Sequence, residues 1–144
     1  MINKSFLSEF ITPITDRTAE DINELRFLLD KGYKFLSIEE KELWKTDHKG
    51  ALNASDLNRI SNNSYVLGKC LGITVPVQNF QPAEFLRTTD FFILAENLEN
   101  VINETKKYTN YEIPTIPDFP FNDYIKINSI ENIQYIIYNI IKEL

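Results

Sequence analysis

Residues 49–60 read KGALNASDLNRI and contain the clearest helix start in the chain. Asn53 precedes Asp56 by three residues, so a capping side chain stands before an acid that can reach back to it. Gly50 is placed to end a preceding helix, because glycine closes helices at little steric cost. The segment therefore predicts one helix that ends near Gly50 and a second that runs from about Asn53 to Cys70.

The same spacing of a cap and an acid recurs at three other places along the chain. The pairs are Thr18 with Asp21, Ser37 with Glu40, and Asn128 with Glu131. A further helix is indicated after Thr88, where apolar residues recur with a period near 3.6. We therefore predict an all-α fold of about five helices, at 18–31, 37–49, 53–70, 88–108 and 128–144. The fourth is expected to be the longest, and Leu28 and Leu29 are expected on the apolar face of the first.

Length and composition favour one domain over residues 1–144 and exclude several classes of function. The net charge is −6, which argues against a nucleic-acid partner because phosphate binding needs a basic surface. The single Cys70 and the single His48 leave no Cys/His set for zinc. No signal peptide and no membrane span are indicated. We expect no cofactor, no metal and no membrane partner, and synthesis in the cytoplasm.

Two segments outside the helices carry separate predictions. Residues 1–17 are expected to form an extended N-terminal arm. Residues 109–127 are rich in proline and large apolar groups, and we interpret them as an extended strap pinned across the bundle by aromatic side chains. Aromatic side chains are typical interface anchors. The candidate interface residues are Phe119, Phe121, Tyr124, Tyr135 and Tyr138. The alternative is that these rings complete the core.

Two polar sites deserve a test as catalytic or binding groups. His48 is the only side chain whose ordinary pKa lies near neutrality, so it is the candidate general base. Its position near the predicted end of the second helix favours capping instead. The pair Asp16 and Arg17 could orient a substrate carboxylate through the Arg fork, or could simply fix the start of the first helix. No catalytic sequence motif occurs.

The chain resembles a family of small helical modules in tail-associated structural proteins of phages and prophages of Gram-positive bacteria. Members show D-R-T-x-x-D-V and K-G-A-Y-N-Y-x-D-L-N-R-V, where this chain reads DRTAEDI and KGALNASDLNRI. A later pattern, Y-x-x-A-N-x-I-E, is matched more weakly from Tyr124 to Glu131. Leu52 and Ala54 replace the two tyrosines of the middle motif. The matching residues, which we interpret as scaffold, are Asp16, Arg17, Thr18, Asp21, Gly50, Asn53, Asp56, Asn58, Arg59, Asn128 and Glu131.

The resemblance implies a non-enzymatic structural component of a phage or phage-tail-like particle at the tail, baseplate or fibre. Its partners would be other virion proteins, in many copies within a symmetric assembly, and its location would be the virion. One alternative is a capsid decoration or head-associated protein. Another is a host-surface or carbohydrate-binding module, favoured if Trp44, Tyr135 or Tyr138 lies on a groove. A third is a prophage-encoded enzyme, lysis factor or regulatory factor, in which acids would converge beside His48.

Overall fold

Five α-helices and two short 3-10 helices form the regular structure in the computed structural model, which describes residues 1–82, 86–119, 121 and 123–144. No strand occurs among these residues. The α-helices are α1 (Ala19–Lys31), α2 (Ile38–Lys45), α3 (Ala54–Leu71), α4 (Thr88–Thr105) and α5 (Tyr124–Glu143). The 3-10 helices span Lys4–Glu9 and Tyr33–Phe35. The prediction of an all-α domain of about five helices is confirmed.

The core lies between α3, α4 and α5, where apolar side chains repeat on one stripe of each helix. In α5 the stripe consists of isoleucines, all less than a tenth exposed: Ile127, Ile130, Ile133, Ile137, Ile140 and Ile141. β-Branched residues suit strands, but a period of 3.6 places these six on one helical face. Full burial of each such side chain is worth about 1.5–3 kcal/mol. This packing therefore outweighs the weak helix propensity of isoleucine.

Helix α2 ends at Lys45, four residues before the predicted boundary. Thr46 leaves the helix in an extended conformation, and its hydroxyl donates to the carbonyl of Leu43 at 3.1 Å. Such local side-chain bonds compete with the continuation of a helix. His48 and Gly50 therefore lie in the loop after α2, and the prediction that they cap this helix is wrong.

Helix α5 begins at Tyr124, four residues before the predicted boundary. Its cap is Asp123, whose carboxylate accepts from the backbone N–H of Lys126 at 2.8 Å. Asn128 is thus inside the helix, and its assignment as the cap is wrong. Tyr124 likewise belongs to α5 and not to the strap. Helix α4 stops at Thr105 instead of 108, and with eighteen residues it is shorter than the twenty-residue α5.

The N-terminal arm is not extended throughout, because residues Lys4–Glu9 form a 3-10 helix. The side chain of Asn3 caps it by accepting from the N–H of Ser5 at 3.0 Å. This short helix lies against α3 and α5. Just beyond it, the ring of Phe10 stacks on Tyr138 at 4.6 Å between centroids. The arm is therefore part of the packed domain.

Three asparagines attach irregular segments to the helices through the same two hydrogen bonds. In each case the amide oxygen accepts from a backbone N–H, and the amide nitrogen donates to the carbonyl of the same residue. The pairs are Asn63 with Ile11 (2.9 and 2.8 Å), Asn58 with Phe80 (2.7 and 2.9 Å) and Asn128 with Arg17 (3.2 and 2.9 Å). An amide side chain offers the donor and acceptor that a neighbouring strand would offer. These asparagine clamps therefore take the place of a sheet.

Replacing Asn63 by alanine is expected to lower the free energy of unfolding by about 1–2 kcal/mol, because two hydrogen bonds to the arm are lost. Asn62→Ala is the matched control, since it removes one longer bond, 3.3 Å, at the neighbouring helical position. Both changes replace asparagine by alanine inside α3, so both raise the helix propensity by the same amount. Urea unfolding of the two variants checks the prediction, and equal stabilities would contradict the clamp.

The segment between α4 and α5 contains neither helix nor strand among its described residues, and Pro120 and Asn122 lie outside them. Ile113 and Phe121 are buried, which attaches the segment to the core at two points. Phe119 stacks on Phe92 of α4 at 4.6 Å. These contacts are of the kind predicted, in which apolar side chains hold the segment against the bundle. The polyproline-like conformation stays a prediction.

Candidate functional site

Four of the eleven residues that matched the family motifs form one buried group of charges between the arm, α3 and α5. We call it the ion network, and it consists of Arg17, Asp56, Arg59 and Glu131. The side chain of Glu131 is fully buried, those of Arg17 and Asp56 are at most 5% exposed, and that of Arg59 is 10% exposed. Three elements distant in sequence therefore bring two cations and two anions together.

Glu131 lies at the centre of the ion network. Its Oε2 atom accepts from Nη2 of Arg17 at 2.7 Å and from Nη2 of Arg59 at 2.9 Å, while Oε1 accepts from Nε of Arg59. Oδ1 of Asp56 accepts from Nη2 of Arg59 at 2.7 Å and from Nη2 of Arg17 at 3.2 Å. Both guanidinium groups thus share both carboxylates, and the four formal charges sum to zero.

The surrounding backbone completes the hydrogen bonding of the network. Nη1 of Arg17 donates to the carbonyl of Ile14 at 2.8 Å, and the N–H of Ile14 donates to Glu131 at 3.2 Å. Burial opposes the charge of Arg59, but its hydrogen bonds to Glu131 and Asp56 prevail and raise its pKa. The guanidinium fork of Arg17 is therefore occupied inside the protein, which leaves it poorly placed to hold a substrate carboxylate.

The remaining motif residues also have internal roles. Thr18 and Asp21 form the predicted capping box, with bonds of 3.3 and 2.8 Å. Asp56 accepts from the N–H of Asn53 at 2.8 Å, as predicted, in addition to its place in the ion network. Glu131 does not act as the first-turn acid that its spacing to Asn128 predicted, because α5 starts earlier. The carboxylate of Asp16 lies at the surface, where it forms an ion pair with the ammonium group of Lys49 at 2.9 Å.

Gly50 permits a close backbone contact instead of ending a helix. A Cβ atom at this position would lie 2.3 Å from the carbonyl oxygen of Asp21 and 2.7 Å from its carbonyl carbon. Only a residue without a side chain allows the loop to come so near to the first turn of α1. Gly50 thus fixes the loop after α2 against α1.

His48 lies in the same loop, close to one acid. Its Nε2 atom is 3.2 Å from Oε1 of Glu24, and its Nδ1 atom accepts from the N–H of Gly50 at 2.9 Å. The groove that His48 borders has a volume of about 130 Å³ and is mostly apolar. Both ring nitrogens are thus engaged, and Glu24 is the only acid that the structure pairs with this histidine in the described residues.

The five predicted interface residues divide between the core and the surface. Phe121 is buried and packs edge-on to Phe91, so it serves the core. Phe119 and Tyr135 are 39% and 44% exposed, while Tyr124 and Tyr138 are half-buried. Tyr138 is stacked between Phe10 and Tyr135. These residues therefore do not form one continuous exposed surface.

A larger apolar surface lies on the hairpin of α1 and α2, residues 19–45. Seven of the eighteen exposed large apolar side chains in the described residues lie on this short segment. We call them the hairpin surface: Phe27, Leu29, Tyr33, Phe35, Ile38, Leu43 and Trp44. Phe35 and Ile38 are the most exposed of the seven, at 71% and 81%. Leu29, predicted to be on the buried face, is 55% exposed, and Leu28 is the only fully buried residue of α1.

Direct contacts connect several of these side chains. Leu29, Leu43 and Trp44 border the same small groove beside His48. The ring of Tyr33 meets Trp44 edge-on at 5.8 Å, and the ammonium group of Lys41 lies 5.2 Å from the Tyr33 ring. None of the eight residues of α2 is buried. The sequence of α2, IEEKELWK, is mostly charged, so its three apolar residues gave little signal that they belong to an exposed apolar surface.

A cleft of about 440 Å³ separates the hairpin from the start of α5. Its walls are mostly apolar and include Ile22, Leu52, Phe121 and Ile127, with Arg26 at the exposed edge. This cleft lies between α1, the loop that contains Gly50 and the start of α5.

The described part of the chain contains no group of three or more His, Cys, Asp or Glu side chains placed to hold a metal ion. Among the helices of residues 1–82, 86–119, 121 and 123–144, none combines the length and the apolar character of a membrane span. Burial raises the pKa of the Cys70 thiol to about 11, so this side chain stays protonated, and therefore unreactive, at neutral pH.

Comparisons of the chain with models of known protein families, with curated proteins and with solved structures found no match.

Proposed function

We propose that this protein is a non-enzymatic structural component of a phage or phage-tail-like particle and acts by protein–protein assembly. The placement at a tail, baseplate or fibre comes from the resemblance in residues 16–22 and 49–60. The observation that carries an assembly role is the hairpin surface, whose seven large apolar side chains are 39–81% exposed.

The ion network supports a scaffold role for the motif residues, separate from the surface that would contact a partner. Arg17, Asp56, Arg59 and Glu131 satisfy one another inside the domain, so the shared motif explains a rigid fold and supplies no reactive group. A rigid domain loses little conformational entropy when it binds. The contact with a partner then falls to residues outside the motif.

The size of the hairpin surface is in the range of a binding site. A large apolar side chain exposes on the order of 150–200 Å² when free, so the exposed fractions of the seven residues amount to roughly 600–750 Å². Exposed apolar areas above a few hundred Å² mark interaction sites. Tyr33, Phe35 and Trp44 add aromatic anchors, which dominate the energetics of interfaces.

The direct test is to purify particles from cells that encode this chain and to look for the polypeptide by mass spectrometry. We expect it in wild-type particles and expect the double variant Phe35→Ser/Ile38→Ser to be depleted at least tenfold. Ile125→Ser is the matched control, because Ile125 is also an exposed isoleucine in the first turn of a helix. Absence of the wild-type polypeptide from particles would falsify the virion role.

Within the particle, a head-associated position is the alternative to the tail. Particle reconstruction with the chain located in density separates the two. Binding of a cell-wall carbohydrate is a second candidate function, and it is favoured by Trp44, which borders a groove beside Tyr33. Titration with soluble cell-wall fragments tests it. Saturable quenching of Trp44, the only tryptophan, would support it, and an unchanged spectrum at millimolar sugar would reject it.

A further inference from the structure

We propose that the hairpin surface binds a second copy of this chain, so that two hairpins pack against each other about a twofold axis. This inference rests on the proposed assembly function and names the first contact that such an assembly makes.

The hairpin lacks the internal packing that the other helices have. Helices α3, α4 and α5 and the 3-10 helix of the arm pack closely on one another, whereas α1 lies mainly against the turn at Tyr33–Phe35. Leu28 is the only buried residue of α1, and α2 has none. Helices with apolar side chains reach stability by covering them, so a hairpin of this kind needs another surface.

The area fits a twofold contact. A standard protein interface buries about 800 Å² on each partner. The apolar part of the hairpin surface alone supplies most of that area, and its polar edge supplies the rest. In a twofold dimer each copy contributes the same residues, so one surface of this size is sufficient for both sides.

The charges favour a copy of the same chain over a partner of one sign. Residues 30–45 contain four acids and four lysines, although the whole chain carries a net charge of −6. The acids are Asp30, Glu39, Glu40 and Glu42, and the lysines are Lys31, Lys34, Lys41 and Lys45. Two acidic chains repel each other, and like charges across a contact are costly. The contact is therefore best placed on this neutral segment, which can meet itself without repulsion.

Two lysines lie over aromatic rings of the hairpin surface. The ammonium groups of Lys34 and Lys41 are 6.0 Å from the ring of Phe35 and 5.2 Å from the ring of Tyr33. Polar groups of both signs therefore accompany the apolar side chains on this segment, and the lysines can meet acids of the second copy.

The test is sedimentation equilibrium of the full chain over a concentration series from about 1 to 200 µM, which covers dissociation constants of ordinary homodimers. We expect a monomer–dimer equilibrium, weakened at least tenfold by Phe35→Ser/Ile38→Ser and unchanged by Ile125→Ser. Ile38→Ser alone is the milder variant, because its side chain is 81% exposed and its loss leaves the fold intact. Far-UV circular dichroism and the emission of Trp44 verify folding.

Chemical cross-linking gives a second measurement. A short bismaleimide should link Lys34→Cys, which keeps Phe35 and Ile38, into dimers and leave Ile125→Cys monomeric, since the native Cys70 is buried. A wild-type chain that stays monomeric to 200 µM would overturn the inference, as would a dimer that the folded hairpin variants leave intact. A monomeric chain whose incorporation into particles still depends on the hairpin would reject the second copy and retain the assembly function. If the chain dimerises but is absent from particles, the contact with a second copy is retained and the assembly function in a particle is rejected.

Discussion

Glu131→Gln is expected to lower the free energy of unfolding by about 3–5 kcal/mol, the usual effect of removing one partner from a buried ion pair. Glutamine has nearly the same volume as glutamate, so core packing is kept. The change leaves Arg17 and Arg59 with a single carboxylate, that of Asp56, and the network acquires a net positive charge in a position with little access to water.

Urea unfolding followed by circular dichroism measures this effect. Glu143→Gln is the control on the same helix, because Glu143 is exposed near the end of α5 and has no ion pair in the described residues. Its stability should change by less than about 0.5 kcal/mol. A shift below about 1 kcal/mol for Glu131→Gln would show that the network is hydrated or that its charges are not all present.

A double-mutant cycle separates the charge effect from a general loss of packing. Arg59→Gln removes one cation, and together with Glu131→Gln it restores neutrality to the network. The double variant should therefore be more stable than the sum of the two single effects by about 1–3 kcal/mol. Simple additivity would mean that the two side chains do not interact.

Gly50→Ala is expected to lower the free energy of unfolding by about 3 kcal/mol, at the upper end for overpacking of a well-packed site. The new Cβ atom would lie 2.3 Å from a backbone oxygen, and backbone atoms of α1 cannot rotate away as a flexible side chain can. The loop must move from α1, and the two bonds of His48, to Gly50 and to Glu24, are strained with it.

Trp44 on α2 gives this prediction a local probe. In Gly50→Ala the emission of Trp44 should change at a lower urea concentration than the circular dichroism of the bundle. Gly32→Ala is the comparison. Nothing lies within 4 Å of a Cβ there, but the backbone at φ +79° and ψ 140° is rare for residues with a side chain, and any side chain costs about 1–3 kcal/mol. If Gly50→Ala lowers the free energy of unfolding no more than Gly32→Ala does, the close contact with Asp21 does not determine the effect of the change.

Short-range signals predicted much of the fold. The capping boxes at Thr18 and Ser37 stand where their spacing placed them, because both partners lie within three residues. The start of α5 was misplaced because Asp123 and Asn128 are both suitable caps, and local spacing cannot choose between them. Asn128 is taken instead by the backbone of Arg17, 111 residues away.

The candidate site was predictable only in part. Motif matching singled out all four members of the ion network as scaffold. It predicted Asp56 and Glu131 only as first-turn acids of capping pairs, since nothing in the sequence shows that the arm, α3 and α5 meet. The predicted interface on the last helix and the strap was based on the abundance of aromatic residues. Burial of Phe121 and stacking of Tyr138 show that abundance does not determine exposure.

The sequence by itself determined the helical class, the number of helices and most of the caps, because hydrophobic period and capping act over a few residues. The tertiary structure decided what the polar motif residues do and which apolar residues stay exposed. Both depend on contacts between segments far apart in the chain. Glu131 became the centre of a charge cluster only through α3 and the arm, and the α1–α2 hairpin stayed uncovered because the bundle closes on itself without it.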